Sequence, residues 1–360
     1  MRLVAAQARL VRLRFARPVR TARGDFTERE TVLLELRDAE GVRGFGEAAP
    51  WPGFGTETVQ QAHASLIAAE ALLCGAAMEP GAWTPELDTH LRDAPAARAA
   101  VQGALCDLAA RRAGCPLADL LAAGAGEARE AVLRRVPTSA LLVAREPGAV
   151  RAEAVRIRES GHRAVKIKLG SPSLDDDVAR ARAAREGLGS AVRLRGDANG
   201  AWSRREARVA LEALAELGFD YVEQPLAADD FEGCAELHRV APVRIAADES
   251  VASESGALRL LATGAVDVMV LKPATLGGPA RALEIAARAR QAGVEVVFSH
   301  TFESAVGARH VLQCAAAWGD PDAVHGLCTD GLFASDVAAS VACPGGLAEI
   351  ADAPGLGITP

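Results

Sequence analysis

Lys168, Asp197, Glu223, Asp248 and Lys272 follow one another at intervals of 29, 26, 25 and 24 residues, and each closes a short apolar run. The runs read AVKIKLG, VRLRGDANG, FDYVEQPL, VRIAADES and VDVMVLKPATLGG, with amphipathic stretches between them. This is the beat of a βα repeat in which every strand delivers a side chain at its carboxyl end. Closing such a repeat brings those ends into one ring, where the active sites of a (β/α)8 barrel lie. The spacing predicts an α/β fold of the TIM-barrel type.

Eight candidate strands fall at 136–142, 164–169, 192–197, 219–223, 243–248, 266–272, 294–299 and 322–327. Helical segments lie between them at 145–160, 175–187, 203–217, 230–240, 254–263, 279–292 and 304–317, several opening on a capping residue such as Ser203 or Ser304. No GxGxxG follows the first strand, which argues against an open dinucleotide-binding sheet. A chain of 360 residues holds one barrel of about 200–250 residues and a smaller unit besides. Residues 3–50 supply that unit with alternating runs, LVRLRF and TVLLELRD, and turn chemistry at Asp38-Ala39-Glu40-Gly41. Helical periodicity follows at 57–74 and 95–113, with Gly114 as C-cap and Pro116 as stop. The expected organisation is an α+β unit over 1–120, a barrel over 121–327, and a loop-rich tail over 328–360 that packs back on the first unit.

Composition narrows the functional class. A net charge of -7 with scattered arginines gives no footprint for nucleic acid. Seven cysteines, at 74, 106, 115, 234, 314, 328 and 343, form no CxxC pair and read as small buried hydrophobes in a reducing compartment. No signal-peptide pattern opens the chain, and no apolar stretch reaches the roughly 18 residues of a membrane span. A cytoplasmic protein that engages neither membrane nor nucleic acid is expected. A homo-oligomer is compatible with all of this.

The charged ring carries the chemistry. Period two puts Lys166 and Lys168 on one strand face, although barrel strands are covered on both sides; two inward lysines need partners. Lys166 is the neighbouring cation that lowers the pKa of Lys168 toward that of a useful base. Taken singly, Asp197 reads as an Asx-turn residue and Asp248 as a helix cap. Taken together, Asp197, Glu223 and Asp248 end consecutive strands, and like charges that close need a cation. Oxygen ligands without Cys or His favour Mg²⁺, with Mn²⁺ as the alternative ion. Lys272 lies across the carboxylates from Lys168, or forms a structural ion pair with Asp248 or Glu249. Asn199 reads equally as a supporting residue and as a turn residue, and Arg195 as nearby positive charge. His300 and His325 read as satisfied core or rim histidines. Turn-rich segments at 17–27 and 50–58 can close over a barrel mouth. Trp51 and Phe54 within the second either contact substrate or staple the first unit to the barrel.

The ordered set KIK, GDANGAW, EQP, ADES, LKPATLGG and SHTFESAVG resembles the enolase superfamily, in its muconate-lactonizing subgroup, from about residue 40 to the C-terminus. The resemblance implies an α+β capping domain over a modified (β/α)8 barrel, Mg²⁺ on Asp197, Glu223 and Asp248, and a small-molecule carboxylate substrate. It also implies that Lys168 removes the proton α to that carboxylate, that Lys272 works from the opposite face, and that Ser299 contacts the substrate. Within the subgroup the chain is most similar to the o-succinylbenzoate synthase family of dehydratases. The similarity rests on GFGEAAPWPGFGTET, on Trp202 in GDANGAW and on HGLCTDGLFASDV. Rival expectations are an N-succinylamino acid racemase or dipeptide epimerase, then a muconate-type cycloisomerase, and remotely a barrel that binds without turnover. Dipeptide epimerases usually carry an Asp-x-Asp where this chain has Cys328-Thr329-Asp330. His300 and Cys328 depart from the commonest synthase pattern.

Overall fold

The alternating N-terminal runs fold as a meander of β1 (Leu3–Thr21), β2 (Gly24–Asp38) and β3 (Arg43–Ala48), a three-stranded antiparallel sheet. The computed structural model describes residues 2–21, 24–74, 83–124 and 131–360. Asp38 makes the expected turn, its Oδ1 accepting from the Glu40 and Val42 amides at 3.0 and 2.8 Å. Pairing of β1 with β2 runs out to Thr21 opposite Gly24. The 17–27 segment, expected as a loop, is therefore the far end of a long hairpin; Ala22 and Arg23 lie outside the described residues.

Helices α1 (Val59–Leu73), α2 (Pro85–His90) and α3 (Pro95–Ala113) pack on this sheet. The alanines of α3 meet Gly44 and Gly46 of β3, where an added Cβ on Gly46 would overlap the Ala100 carbonyl. Small residues on both sides give the close packing of a protein interior without aromatic bulk. Gly114 ends α3 in the left-handed region at φ 69°, and α4 (Leu117–Ala123) follows.

From residue 135 strands and helices alternate as β4 (Arg135–Pro137), β5 (Ala140–Leu142), α5 (Pro147–Glu159), β6 (Ala164–Lys168), α6 (Leu174–Leu188), β7 (Arg193–Asp197), α7 (Arg204–Leu214) and β8 (Phe219–Glu223). They continue as α8 (Phe231–His238), β9 (Ile245–Ala247), α9 (Glu254–Thr263), β10 (Val268–Leu271), α10 (Pro273–Leu276), α11 (Pro279–Gln291), β11 (Glu295–Phe298) and α12 (Ala305–Trp318). Strands β5 to β11 form one parallel sheet in chain order. The expected eighth strand, 322–327, is reduced to two parallel bridges, Thr138–His325 and Ser299–Gly326. Bonds of 2.9 Å from His325 N to Pro137 O and from Gly326 N to Phe298 O close the ring there. The expected first strand also divides. Its residues 135–137 pair with β12 (Leu347–Glu349) of the tail, and Pro137, having no N–H for a ladder, marks the break. The architecture is a modified (β/α) barrel with an N-terminal α+β domain. Among the described residues no helix is long and apolar enough to cross a membrane.

The barrel strands obey period two. Outward positions such as Val165, Ile167, Leu194, Val222, Met269 and Phe298 are buried against the helices, each worth roughly 1.5–3 kcal/mol of burial. The inward floor is a small cluster of Tyr221, Ala246, Val268, Val270 and Val297. At the carboxyl ends of the strands the inward positions turn polar, as at Glu223, Asp248, Lys272 and Ser299. The tail bonds back to the first domain, Leu356 N to Asp107 Oδ1 at 2.7 Å and Ala16 N to Leu332 O at 2.9 Å. The cysteines are less uniform than expected. Cys106, Cys234, Cys314 and Cys343 are buried, Cys74 and Cys115 half-buried, and Cys328 is exposed, because the chain beyond 327 lies at the barrel mouth rather than in a strand.

Candidate active site

Register builds the ring. Lys168 pairs with Asp197 across β6 and β7, and Asp197 with Glu223 across β7 and β8, while Asp248 and Lys272 cap β9 and β10 one residue beyond each strand. All five line a cavity of about 1390 Å³ at the carboxyl ends of the strands, together with Lys166, Asn199, Glu249, Ser299, His300, Trp51 and Phe54.

Both inward lysines find carboxylates. Lys168 Nζ donates to Asp197 Oδ2 at 2.7 Å and to Asn199 Oδ1 at 2.8 Å. Lys166 Nζ bridges Asp197 at 3.1 Å and Glu223 at 3.1 and 3.2 Å. Lys272 Nζ lies 2.6 Å from Asp248, so the ion pair weighed from sequence exists and closes the arc at the end opposite Lys168. Asp197 is also an Asx-turn residue, since its Oδ1 accepts from Asn199 N at 3.1 Å. Its two oxygens thus serve both readings. Asp248 makes no side-chain cap, which removes the helix-cap reading.

Four carboxylates, counting Glu249, face three ammoniums. Burial pushes the Glu223 carboxyl up to about 8, with Asp197 and Asp248 adding to the effect against Lys166 and Lys168. Burial also opposes ionisation of Asp197, but Lys166 and Lys168 outweigh it and hold that carboxyl below the usual range. For Lys166, burial is outweighed by Glu223, Asp197 and Asp248, and its pKa stands well above that of an ordinary lysine. Lys166 therefore has two carboxylates as its partners, the partners that an inward lysine requires. Among the described residues no three His, Cys, Asp or Glu side chains stand together as a ready metal cage, because lysine ammoniums are interposed. The donor chemistry nonetheless fits a hard divalent cation. It is all oxygen, and Glu249 Oε2 is buried without a hydrogen-bond partner. Asp197, Glu223 and Asp248 are the residues that could hold it.

Arg195 does not join the ring. One layer deeper and 1% exposed, it pairs with Asp220 at 2.9 Å, donates to Val324 O and stacks on Tyr221. Its charge ties β7 to the closing bridge. Asn199 does join, at φ 47°, linking Lys168 to Glu249 through a 3.1 Å bond from its Nδ2. His325 is a core residue, its Nδ1 accepting from Phe298 N at 3.0 Å. His300 lies on the cavity rim, lowered to about 4 by burial and the nearby Lys272 charge, and so is a neutral imidazole. Ser299 lines the cavity beside Gly326. Trp51 and Phe54 both face it, and the Phe54 ring lies 4.0 Å from Lys272 Nζ, close enough for a cation–π contact.

Two contributors escaped the sequence reading. Gln224, at φ 42°, accepts from the amides of Asp248 and Ser250 at 3.0 and 3.1 Å and so fixes the Asp248 backbone. Phe302 carries Trp51 at 5.7 Å and His300 at 5.8 Å. The glutamine of EQP was visible as a polar residue inside a strand-end motif. Phe302 left no signal beyond being aromatic in a chain with few aromatics.

Two family models match successive parts of the chain. Residues 5–122 match the mandelate racemase / muconate lactonizing enzyme N-terminal domain, and residues 149–360 the enolase C-terminal domain-like family. A hydrophobic dipeptide epimerase of Enterococcus faecalis is 30% identical over 100% of both chains. An o-succinylbenzoate synthase of Mycolicibacterium smegmatis is 40% identical over 66% of this chain and 71% of its own. The crystal structure of the Enterococcus faecalis dipeptide epimerase with Mg and the dipeptide L-Leu-L-Tyr superposes with a TM-score of 0.89 at 27% identity, covering 99% of each chain.

Proposed function

The chain belongs to the enolase superfamily, and from that premise we propose that it is an o-succinylbenzoate synthase, dehydrating 2-succinyl-6-hydroxy-2,4-cyclohexadiene-1-carboxylate. The observation that carries this reading over a dipeptide epimerase lies beyond the closing bridge. Cys328 replaces the first acid of the usual Asp-x-Asp, and Asp330 does not line the cavity; its carboxylate accepts from Ser340 Oγ at 3.1 Å. A substrate ammonium finds no grip there. The 40% identity to a synthase supports the same choice, whereas the full-length match to an epimerase keeps epimerisation as the second reading.

In this proposal Asp197, Glu223 and Asp248 hold a divalent cation, Mg²⁺, which supplies Lewis-acid charge to the substrate carboxylate when bound. Lys168 is the base. Its side chain is 46% exposed and thus open to the cavity, and as an amine it takes the proton α to the carboxylate. The same nitrogen then gives its proton to the departing hydroxyl on that face, a syn elimination. Lys272 stays charged opposite, fixed between Asp248 and the Phe54 ring, and stabilises developing negative charge without moving a proton. Trp51, Phe54 and Phe302 exclude water above.

Kinetics on the cyclohexadiene carboxylate, on N-succinylamino acids and on dipeptides test the proposal. The dehydration is expected to give the highest kcat/KM by at least about 100-fold, or roughly 3 kcal/mol of transition-state discrimination. Faster racemisation or epimerisation would replace the dehydratase reading with the second one.

A further inference from the structure

Trp51 and Phe54 come from the capping domain, and Ser299, His300 and Phe302 from the loop after β11. The two sets share a cavity although they lie some 250 residues apart in the chain. One buried side chain reaches from the strand that leads into the first set to the helix start that follows the second. Glu47, 4% exposed at the end of β3, lies three residues before Pro50. Its carboxylate accepts from Ser304 N at 2.9 Å, from Ser304 Oγ, and from Gly307 N at 2.8 Å. Ser304 lies two residues beyond Phe302. Gly307 permits the approach, since a Cβ there would come 2.9 Å from Glu47 Oε2.

The surroundings match this role. Arg29 donates to Pro50 O at 2.6 Å and Ala49 O at 2.9 Å and lies over the Trp51 ring. Its buried charge faces Glu47 and Glu303. Glu303 is satisfied separately by the amide and hydroxyl of Thr301. The loops also meet directly, through the Trp51–Phe302 contact.

We propose that Glu47 is a positioning residue that holds the capping loop 50–58 and the barrel loop 299–304 in register over the reacting groups. The carboxylate joins the strand that leads into one loop to the helix start that follows the other. The inference rests on the proposed function only in taking the cavity as the active site.

Hydrogen exchange on the substrate-free protein tests it without any assay. Glu47→Gln can no longer accept at both oxygens, and exchange is expected to rise about ten-fold or more in peptides covering both 50–58 and 299–307. Asp38→Asn is the control. It removes a buried carboxylate that holds Glu40 N and Val42 N in the turn before β3, at the other end of that strand from Glu47, and neither segment is expected to change. Should Glu47→Gln fail to fold, Ser304→Ala removes one donor to Glu47 together with the cap acceptor of Val306 N, and the expected loosening of 50–58 is the readout that the lost cap cannot supply. Loosening confined to 299–307, or absent, overturns the inference and leaves Glu47 as a helix cap. In turnover of the best substrate found, Glu47→Gln is expected to raise KM at least about ten-fold with kcat within about three-fold. An equal fall in kcat alone also overturns it. Paired loosening in a protein that does not dehydrate the cyclohexadiene supports the inference while defeating the proposed function.

Discussion

At the scale of single residues, the two lysines at the ends of the carboxylate arc differ in what they touch. Lys168 binds Asp197 and Asn199 and is open to the cavity, whereas Lys272 is 8% exposed between Asp248 and Phe54. Under the proposed function Lys168→Ala loses at least about 10²–10⁴-fold in kcat, because one group serves as both base and acid. Lys272→Ala slows dehydration without changing solvent deuterium incorporation into recovered substrate. Deuterium entering from both faces in the wild type would point to epimerisation. The carboxylates make a second prediction. Glu223, raised to about 8, carries a proton at pH 7, and a divalent cation displaces it. Mg²⁺ binding at pH 7 is therefore expected to release up to about one proton and to strengthen as pH rises toward 8. Calorimetry in buffers of different ionisation enthalpy measures the release, and Glu223→Gln should abolish it. Release that is unchanged in that variant would assign the proton elsewhere.

At the scale of elements, the segment after β3 carries two competing roles, contact with substrate or stapling of domains. The short 3-10 turn Pro52–Phe54 sets the Phe54 ring over Lys272 at 4.0 Å, while Trp51 is held by Phe26, Phe302 and Arg29. From these contacts we propose Trp51 as the staple and Phe54 as the tip, although both line the cavity. Phe54→Ala is expected to raise KM for a succinyl-bearing substrate by about ten-fold, the order of one lost apolar contact of 1–3 kcal/mol, and to lower Tm by no more than a few degrees. A drop of several degrees with KM unchanged would make Phe54 a staple too. The roots of these loops are as informative as their tips. Gly277 and Gly278 after β10 come against Arg98 and Gln102 of α3, and Gln102 Oε1 accepts from Ala280 N at 2.9 Å. The glycine pair of LKPATLGG is therefore a docking point for the capping domain rather than a loop of the cavity.

At the scale of the whole molecule, closure of the barrel depends on residues 325–326, and His325 lies inside that closure. Burial, with Arg195 adding to it, holds its imidazole down to about 3. A histidine whose folded pKa lies below the unfolded value near 6.5 stabilises the fold above pH 6.5, and that contribution is lost as pH falls toward 3. The loss is at most about 5 kcal/mol for one such group. His325→Asn keeps an acceptor for Phe298 N without the titration. Melting at pH 7 and pH 4.5 should show a smaller acid-induced fall in Tm for the variant than for the wild type. An equal fall would assign the acid sensitivity to other groups.

Local pattern determined a large part of this protein. Apolar runs closing on a charge assigned Lys168, Asp197, Glu223, Asp248 and Lys272 to strand ends, period-two alternation put Lys166 on the same face as Lys168, and the near-constant spacing of those ends predicted one ring. Helix signals such as Ser203 and Ser304 placed helices around it, and Gly114 marked the end of one in the first domain. All of these are short-range properties of sp³ side chains on a regular backbone, so a linear string carries them. Tertiary structure decided the rest, because it depends on which distant groups compensate one another. The eighth strand shrank to a bridge, and residues 135–137 left the barrel for the tail, because backbone partners are chosen among segments far apart in the chain. Arg195 went to the floor because Asp220 and the Val324 carbonyl were there to satisfy it. The 17–27 segment became the end of a hairpin because β2 could pair with it to the tip. Lys166 acquired two carboxylates as counter-ions, Asp197 and Glu223, a matter of net charge in a buried volume. Glu47, an unremarked acid in a glycine-rich strand, acquired its partners only when residues 304 and 307 were folded against it.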